Sequence, residues 1–277
     1  MENVMLQFHK SEKSMTRKDS ATALRSEKIL QELLGTGEVL VETLAEQLNV
    51  SAATIRRDLS ELERQGLLRR NHGGAVPVAP MLYEPFRHVS SFQEQEEKCA
   101  AEKRRIGILA ASLIADGDII AIGAGTTTTQ VARCIRHRKG ITVLTNAINI
   151  AMELSHLIDI KVCMTGGFLS GDWFALVGDV AQRNTGELFV DKAFIGVDGM
   201  HAERGLTTNY PDQAAIHRVM LQQARQRIIV ADHRKIGIIG TTLIWPANDI
   251  DILITDQTTT EDVVELFTAK NIKVLQA

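Results

Sequence analysis

The sequence has little of what marks several large classes of protein. Its 277 residues include only three cysteines and no Cys-x-x-Cys pair, which argues against a disulfide framework or zinc knuckle and favours a reducing cytosol. No apolar run approaches the roughly 18 residues of a membrane-spanning helix. The amino-terminal residues lack the apolar core of a secretory signal. We therefore expect a cytoplasmic protein with no membrane partner.

The sequence also has no large excess of either positive or negative charge. The formal net charge is only −3, so the whole chain has no strong attraction to nucleic acid, and any such contact must come from a local patch. The hydrophobic fraction of 44% excludes a disordered chain, and the length suggests roughly two domains. We expect no cofactor and no metal site.

Proline is rare but concentrated. Three of the five prolines, Pro77, Pro80 and Pro85, lie within nine positions. Because proline fixes its own backbone and restricts the preceding residue, this stretch predicts an extended linker. The predicted divisions are a disordered lead-in (1–22), a helical domain (23–76), the linker (77–95) and a second domain (96–277).

The first domain has the pattern of a helix-turn-helix. Apolar residues at helical spacing predict helices at 26–34, 41–48 and 52–65. Ser51 is a suitable N-cap for the third helix because its hydroxyl can accept a bond from an amide of the first turn. In a helix-turn-helix this third helix would enter the major groove with its amino-terminal end first.

Basic residues cluster at the start of that helix and just beyond it. A guanidinium such as that of Arg56 or Arg57 can grip a phosphate or bridge two acceptors of a guanine. A short strand at 67–70 and a turn at 71–74 predict a wing with two further arginines. Arginines on a helix are often only a solvated face, but the complete helix–turn–helix–wing order favours DNA binding. The predicted DNA-binding residues are Ser51, Thr54, Arg56, Arg57, Arg69, Arg70, His72 and Gly73.

After the linker, apolar runs alternate with helical stretches. Continuous apolar strands need cover on both faces, which predicts an α/β domain with a doubly wound parallel sheet between helix layers. Ligands of such sheets bind beyond the carboxyl ends of the strands, where this sequence places polar residues. The predicted strands are 118–123, 141–146, 160–167, 192–199, 227–232 and 251–256, and the predicted helices are 96–114, 128–138, 148–157, 211–225 and 261–269.

The loop after the first of these strands has a composition that suits phosphate. Residues 123–129 read Gly-Ala-Gly-Thr-Thr-Thr-Thr and precede a helix. Glycine lets a ligand approach the backbone, while threonine hydroxyls and helix amino-terminal amides donate hydrogen bonds. The loop lacks the third glycine of the dinucleotide fingerprint and the Walker lysine. Taken alone it could equally be an ordinary helix cap.

Two stretches carry a family resemblance. Residues 51–59 (SAATIRRDL) followed by 70–75 (RNHGGA) resemble the winged helix of DeoR-type bacterial repressors, and residues 192–199 (KAFIGVDG) resemble the sensor domain of that family. The resemblance covers Ala23 to the end of the chain. It implies an amino-terminal winged helix-turn-helix and a sensor domain similar to sugar-phosphate isomerases, which binds a phosphorylated sugar. The effector-binding residues that it implies are Gly125, Thr126, Thr127, Asn146, Gly166, Gly167, Asp198 and Lys235.

The sequence departs from the family pattern at this implied pocket. Where the family usually has Asp-Ser before Gly-Thr-Thr, this chain has Gly123 and Ala124. Where the family has Glu-Ala and then Lys-Arg, it has Gln213-Ala214 and His217-Arg218. Two carboxylates and a lysine are therefore missing, which predicts a different sugar phosphate or a sugar acid as effector.

Together these features predict a sequence-specific transcriptional regulator that represses a carbohydrate catabolic operon until a phosphorylated sugar or sugar acid releases it. Its partners would be double-stranded operator DNA and, because half-sites are paired, a second copy of the chain in a homo-oligomer. The alternative is a sugar-phosphate isomerase-like enzyme with an accessory DNA module. Gln213 cannot act as a base, although Asp198 and Asp256 could. Activation instead of repression also stays open.

Overall fold

The computed structural model describes residues 17–64, 67–77 and 90–277, and the chain divides into two units, Met1–Val78 and Ala79–Ala277. The described part of the first unit consists of three helices and a small antiparallel sheet. The sheet has the order β1-β3-β2, and β2 and β3 form a hairpin. The elements are α1 (Arg17–Thr36), β1 (Val39–Leu40), α2 (Val41–Gln47), α3 (Ala52–Arg64), β2 (Leu68–Asn71) and β3 (Gly74–Pro77).

One apolar core holds the three helices together. Ile29 and Leu33 of α1, Leu44 of α2, and Ile55 and Leu59 of α3 are at most 1% exposed. Each such side chain stabilises the fold by roughly 1.5–3 kcal/mol relative to its exposed state. The helical spacing of these residues is what made α2 and α3 predictable, and both predicted helices are confirmed to within two residues at each end.

The first unit also contains elements that the pattern did not predict. Helix α1 begins at Arg17, well before the predicted start at 26. The prediction begins too late because the first two turns of the helix carry no apolar stripe. Strand β3 completes the wing and extends to Pro77. At Gly74 a Cβ would lie 1.9 Å from the carbonyl oxygen of Val39, so only glycine allows β1 and β3 to pair. Residues 1–16 of the predicted lead-in lie outside the described part of the chain.

A seven-stranded parallel sheet is the centre of the second unit, which confirms the predicted α/β fold. Its order is β6-β5-β4-β9-β12-β14-β15. Strands β5 and β6 are added on one side of β4, and the strands from β9 onward are added on its other side. Strands β4 and β9 therefore lie side by side at the switch point. The strands are β4 (Ile119–Ile122), β5 (Ile141–Thr145), β6 (Ile160–Met164), β9 (Val190–Ile195), β12 (Ala224–Val230), β14 (Ile252–Thr255) and β15 (Lys273–Gln276).

In the described part of this unit, seven α-helices and five short strands surround the sheet. Strands β7 and β8 form a hairpin, and β10, β11 and β13 form a separate small sheet. The helices are α4 (Ser90–Glu97), α5 (Ala100–Ser112), α6 (Thr126–Cys134), α7 (Ile148–Leu154), α8 (Asp179–Gly186), α9 (Pro211–Gln222) and α10 (Glu261–Thr268). The short strands are β7 (Phe168–Ser170), β8 (Ala175–Val177), β10 (Gly199–His201), β11 (Gly205–Thr208) and β13 (Thr242–Trp245).

The helix predicted at 96–114 is two helices. Cys99 has a φ of 54°, a left-handed conformation that separates α4 from α5. Helix α4 begins at Ser90, inside the range predicted as linker, and buries Phe92. The ammonium group of Lys103, which is 2% exposed, donates to the carbonyl of Gln95 and so joins α5 back to α4. Burial lowers the pKa of Lys103 to about 8.

Candidate functional site

The amino-terminal end of α3 presents polar and basic side chains on the surface of the first unit. The hydroxyl of Ser51 accepts a hydrogen bond from the amide of Thr54 at 3.2 Å, as expected of an N-cap. Arg56 and Arg57 are both exposed. The Arg56 guanidinium lies 3.2 Å from Glu42 of α2, whereas Arg57 forms no ion pair or side-chain hydrogen bond with any described residue. Of these two arginines, Arg57 is therefore the more available to a ligand.

A buried ion pair fixes the orientation of α3. Asp58 points inward, is 7% exposed, and accepts from both Nε and Nη2 of Arg25 on α1, at 2.5 and 3.0 Å. Such a two-point pair is rigid as well as attractive. It attaches the helix with the exposed arginines to the longest helix of the unit.

The wing adds the remaining predicted DNA-binding residues. Arg69, Arg70, His72 and Gly73 are all exposed. Arg70 donates to the Ser60 hydroxyl at 2.5 Å, while Arg69 has no such partner among the described residues. Arg56 and Arg70 line one depression of about 260 Å³ between α3 and the wing. The structure thus brings the basic residues of α3 and those of the wing onto one surface, where they can contact a nucleic-acid backbone.

In the second unit, a cavity of about 470 Å³ opens beyond the carboxyl ends of β4 and β9. This is the switch point of the sheet, where ligands of doubly wound folds bind. The structure brings five of the eight predicted effector residues to the wall of this cavity: Gly125, Thr126, Thr127, Asp198 and Lys235. The other lining residues are Gln95, Ala124, Trp173, Gly196, Val197, Thr208 and Gln213.

The amino-terminal end of α6 forms one part of the cavity wall. The helix begins at Thr126, two residues before the predicted start. The hydroxyls of Thr128 and Thr129 donate to the carbonyl of Gly125, at 2.9 and 2.7 Å. Those of Thr126 and Thr127 have no hydrogen bond to a described residue. The first amides of a helix are free and the helix dipole is positive there, so this end can bind an anion.

Asp198 and Lys235 form a second part of the wall. Asp198 accepts from the Thr208 hydroxyl at 2.8 Å and from the Asn209 amide at 3.0 Å. The ammonium of Lys235 lies 3.6 Å from the other Asp198 oxygen. At that distance the lysine is only loosely paired and can also reach a bound anion.

Two buried carboxylates position the loop of Lys235. Asp232 caps the short 3₁₀ helix at His233–Lys235 by accepting from the backbone and side chain of Arg234. Asp256 accepts from the amide and ring of His233, at 2.7 and 3.0 Å. Burial opposes ionisation of Asp256, but the hydrogen bonds of His233 and Thr258 outweigh it and lower the pKa. Asp256 is outside the lining of the cavity, so it has no access to a substrate there.

The other three predicted effector residues lie away from the wall. Asn146 is buried, accepts from the Ala124 amide at 2.9 Å and donates to the Leu176 carbonyl at 3.3 Å, so it holds the loop in place from behind. Gly166 and Gly167 follow β6. A Cβ at Gly167 would lie 2.4 Å from the Val177 carbonyl oxygen, which explains glycine there by packing. Direct effector roles for these three residues stay predictions.

Two of the departures from the family pattern, Ala124 and Gln213, line the cavity, and two others, Gly123 and His217, lie against each other beside it. Gln213 is 7% exposed, and its amide nitrogen has no acceptor among the described residues. One turn further along α9, His217 is buried and both ring nitrogens lack a partner there. Burial lowers the pKa of His217 to about 4, with Asp198 opposing the shift. A Cβ at Gly123 would lie 2.8 Å from His217 Nε2, so a larger residue at 123 and this histidine exclude each other.

Residues far apart in sequence complete the site. Gln95 of α4 and Trp173, between β7 and β8, line the cavity although their sequence surroundings gave no sign of it. Phe92 packs edge-on against Trp173, with ring centroids 6.2 Å apart, and Trp173 packs against Tyr210 at 5.4 Å. A salt bridge from Arg133 of α6 to Glu96, at 2.8 Å, holds α4 in place, and a second one, to Glu153 at 2.9 Å, joins α6 to α7. Helix α4 is thus a structural part of the pocket.

Two further features are absent from the described residues. They contain no cluster of three or more histidine, cysteine or acidic side chains that could hold a metal ion. No helix in this part of the chain has both the length and the apolar character needed to cross a membrane.

Comparison with known proteins matches both units to one family. Residues 25–80 match the model of the DeoR-like helix-turn-helix domain, and residues 98–257 match that of the DeoR C-terminal sensor domain. The chain belongs to the DeoR family. It is therefore a DNA-binding transcriptional regulator, and both the predicted family and the predicted order of the two domains are confirmed.

The curated relatives that this DeoR-family chain matches are transcriptional regulators, and the match extends over nearly their whole length. It is 35% identical to the HTH-type transcriptional repressor GlcR of Bacillus subtilis, covering 89% of this chain and 93% of the relative. It is 36% identical to the HTH-type transcriptional regulator GlpR of Haloferax volcanii, covering 85% and 90%. It is 32% identical to the putative aga operon transcriptional repressor of Escherichia coli O157:H7, covering 92% and 94%. These matches support a regulator over the enzyme alternative.

Among solved structures, ribose 5-phosphate isomerase A from Neisseria gonorrhoeae aligns with 49% of this DeoR-family chain and 53% of its own. The sequence identity is 14% and the TM-score is 0.38. An alignment at this level says nothing about a shared activity.

Proposed function

We propose that this DeoR-family regulator represses a carbohydrate catabolic operon in the cytoplasm and is released by a phosphorylated sugar or sugar acid. The observation that supports this most is the cavity at the β4–β9 switch point, which has the open amino-terminal end of α6 on one side and Lys235 on another. The helix end can bind a phosphate, and Lys235 can bind any anionic group.

The proposed DNA contacts divide by chemistry. Thr54, Arg56 and Arg57 at the start of α3 would read base edges in the major groove, while Arg69 and Arg70 of the wing would contact phosphates. Paired half-sites about one helical turn apart require two such helices, so we propose that the chain acts as a homo-oligomer. Effector binding then needs to favour only the state whose helices no longer fit both half-sites.

Replacement of Arg57 by alanine tests the DNA-binding surface. We expect operator affinity to fall by about 1–3 kcal/mol, the usual range for one base contact, because Arg57 has no competing protein partner among the described residues. The measurement is fluorescence anisotropy with labelled fragments from upstream of the chain's own gene and its neighbours. Arg204→Ala removes the same charge from an exposed site in the second unit and should bind as the wild type does. Equal affinity of both variants would remove α3 from the proposed interface.

A further inference from the structure

Hydrogen-bond donors dominate the wall of the effector cavity. At the amino-terminal end of α6 these are the first amides and the hydroxyls of Thr126 and Thr127. Elsewhere on the wall they are the Lys235 ammonium and the Gln213 amide. Asp198 supplies the one carboxylate among the described lining residues. It already accepts from Thr208 and Asn209 and lies 3.6 Å from the Lys235 ammonium. The described wall thus offers donors at α6, at Lys235 and at Gln213, and no carboxylate that is free of protein partners.

The sheet separates these two groups of donors. Helix α6 follows β4 and Lys235 follows β12, with β9 lying between the two strands. Two strand spacings amount to roughly 10 Å between the backbones, and the Lys235 side chain shortens this gap because it reaches Asp198, which follows β9. A phosphorylated chain of about four to six carbons can span such a gap, so a ligand bound at α6 by its phosphate can place its other end near Lys235.

Gln213 adds a second chemical requirement to the cavity wall. Its side chain is more than nine-tenths buried in the wall, and its amide nitrogen has no acceptor among the described residues. A buried donor of this kind is costly unless a ligand oxygen accepts from it. Because an amide is neutral, it does not repel an anion as a glutamate would. The positive charge of Lys235 attracts an anion. An amino sugar would instead need a free carboxylate, which the described wall does not offer.

We propose that the effector is acidic at both ends, a phosphorylated aldonic acid whose phosphate binds the start of α6 and whose carboxylate binds Lys235 and Gln213. Gln213 is then the residue that selects the acid over the aldose of equal length, whose aldehyde or ring hydroxyl has no charge. This inference rests on the proposed function, since it names the effector of the same cavity.

The test is isothermal titration calorimetry of the full chain with matched pairs of ligands. Each pair is an aldonic acid of four, five or six carbons, phosphorylated on its terminal carbon, and the aldose phosphate of the same length. For at least one length we expect the acid to bind the wild type about tenfold or more tightly than the aldose, as charge-assisted hydrogen bonds do. Gln213→Glu should reduce the preference to about twofold or less, because the new carboxylate repels the acid.

Gln222→Glu is the matched control, because it makes the same change at an exposed position of the same helix. It should retain the wild-type preference. Thermal unfolding shows whether the Gln213→Glu variant is folded under the conditions of the titration. Gln213→Leu removes the amide without adding a buried charge and should also lose most of the preference for the acid.

The possible failures are distinct. If aldose phosphates bind the wild type as tightly as the acids, or if the Gln213→Glu variant keeps the preference, the acid inference is overturned. The proposed function survives in that case, provided that an aldose phosphate releases operator DNA. If neither class of ligand binds at any length or releases DNA, both proposals are overturned.

Discussion

Asp58 lies among the exposed arginines of α3 but faces the protein interior, where it pairs with Arg25 at 2.5 and 3.0 Å. Its neighbours Arg56 and Arg57 face solvent. The side chains of one helical turn therefore divide between a structural contact and a surface for DNA. This division explains how a stretch with alternating charges can serve both folding and recognition.

Asp58→Ala should leave the Arg25 guanidinium largely buried without its partner, which costs roughly 3 kcal/mol for a broken buried pair. We expect faster amide hydrogen exchange in α3 and weaker operator binding. Glu61→Ala affects an exposed contact with Arg64 on the same helix and serves as the control. If α3 exchanges at wild-type rates in the Asp58 variant, the ion pair does not orient the helix.

His217 makes the second unit sensitive to acid. Its pKa is lowered from 6.5 to about 4 by burial, so the unfolded chain binds more protons than the folded chain between these values. Its contribution is thus fully present above pH 6.5 and is lost as the pH falls toward 4, by roughly 3 kcal/mol in total.

His217→Gln should therefore flatten the loss of stability between pH 6.5 and 4. Both tryptophans, Trp173 and Trp245, lie in the second unit, so tryptophan fluorescence during urea unfolding reports on that unit. Parallel curves of stability against pH for the wild type and the variant would show that His217 does not titrate in this way. At pH 8 residue 217 is neutral in both proteins, which gives the reference for the comparison.

At the scale of elements, α4 is the part of the second unit that follows the linker and also lines the cavity. Phe92 packs against Trp173 and Phe174, and Gln95 is in the cavity wall. Because α4 is the first described element after β3 of the first unit, a ligand that changes its packing acts at the point where the second unit continues from the linker.

Phe92→Ala should loosen α4 by removing an aromatic side chain from a packed site, a change that typically costs about 3–5 kcal/mol. We expect operator binding without ligand to stay near wild type and release by ligand to weaken. Hydrogen exchange of residues 90–97 and anisotropy measure the two effects, with the phosphorylated compound that gives the largest thermal shift as ligand. Glu94→Ala, at an exposed position of the same helix, is the control. Wild-type release by the Phe92 variant would contradict a role for α4.

The sequence predicted the regular elements better than it predicted the contacts between them. All six predicted strands are in the central sheet because each is a continuous apolar run, and the helix-turn-helix followed from the spacing of Leu44, Ile55 and Leu59. The short strands of the β7–β8 hairpin were missed because three residues give no periodicity. The helix break at Cys99 was missed because a left-handed residue is usually a glycine, and this one is a cysteine.

Part of the candidate site could not be predicted for a different reason. The close approach of Gly123 and His217 joins residues 94 positions apart, and Gln95 and Trp173 reach the cavity from other parts of the fold. Such neighbours depend on the complete sheet topology. What the sequence did supply was the set of polar strand ends, and Thr126, Asp198 and Lys235 do line one cavity.

At the scale of the whole molecule, regulation depends on communication between a DNA-binding unit and a ligand-binding unit of one chain. Neither unit alone makes a regulated repressor. The first provides exposed arginines at the start of α3, and the second provides a cavity with unpaired donors. Coupling between two such sites is typically about 1–3 kcal/mol, or roughly 5- to 150-fold in affinity.

The most direct measurement is operator affinity with and without saturating effector, for the wild type and for a Thr126→Val/Lys235→Ala variant. The effector used is the phosphorylated compound with the largest thermal shift on the wild type. We predict that it weakens operator binding by the wild type roughly 5- to 150-fold. The variant should bind the operator as the wild type does without ligand and show no response to the compound. A variant that releases the operator as readily as the wild type would contradict the account.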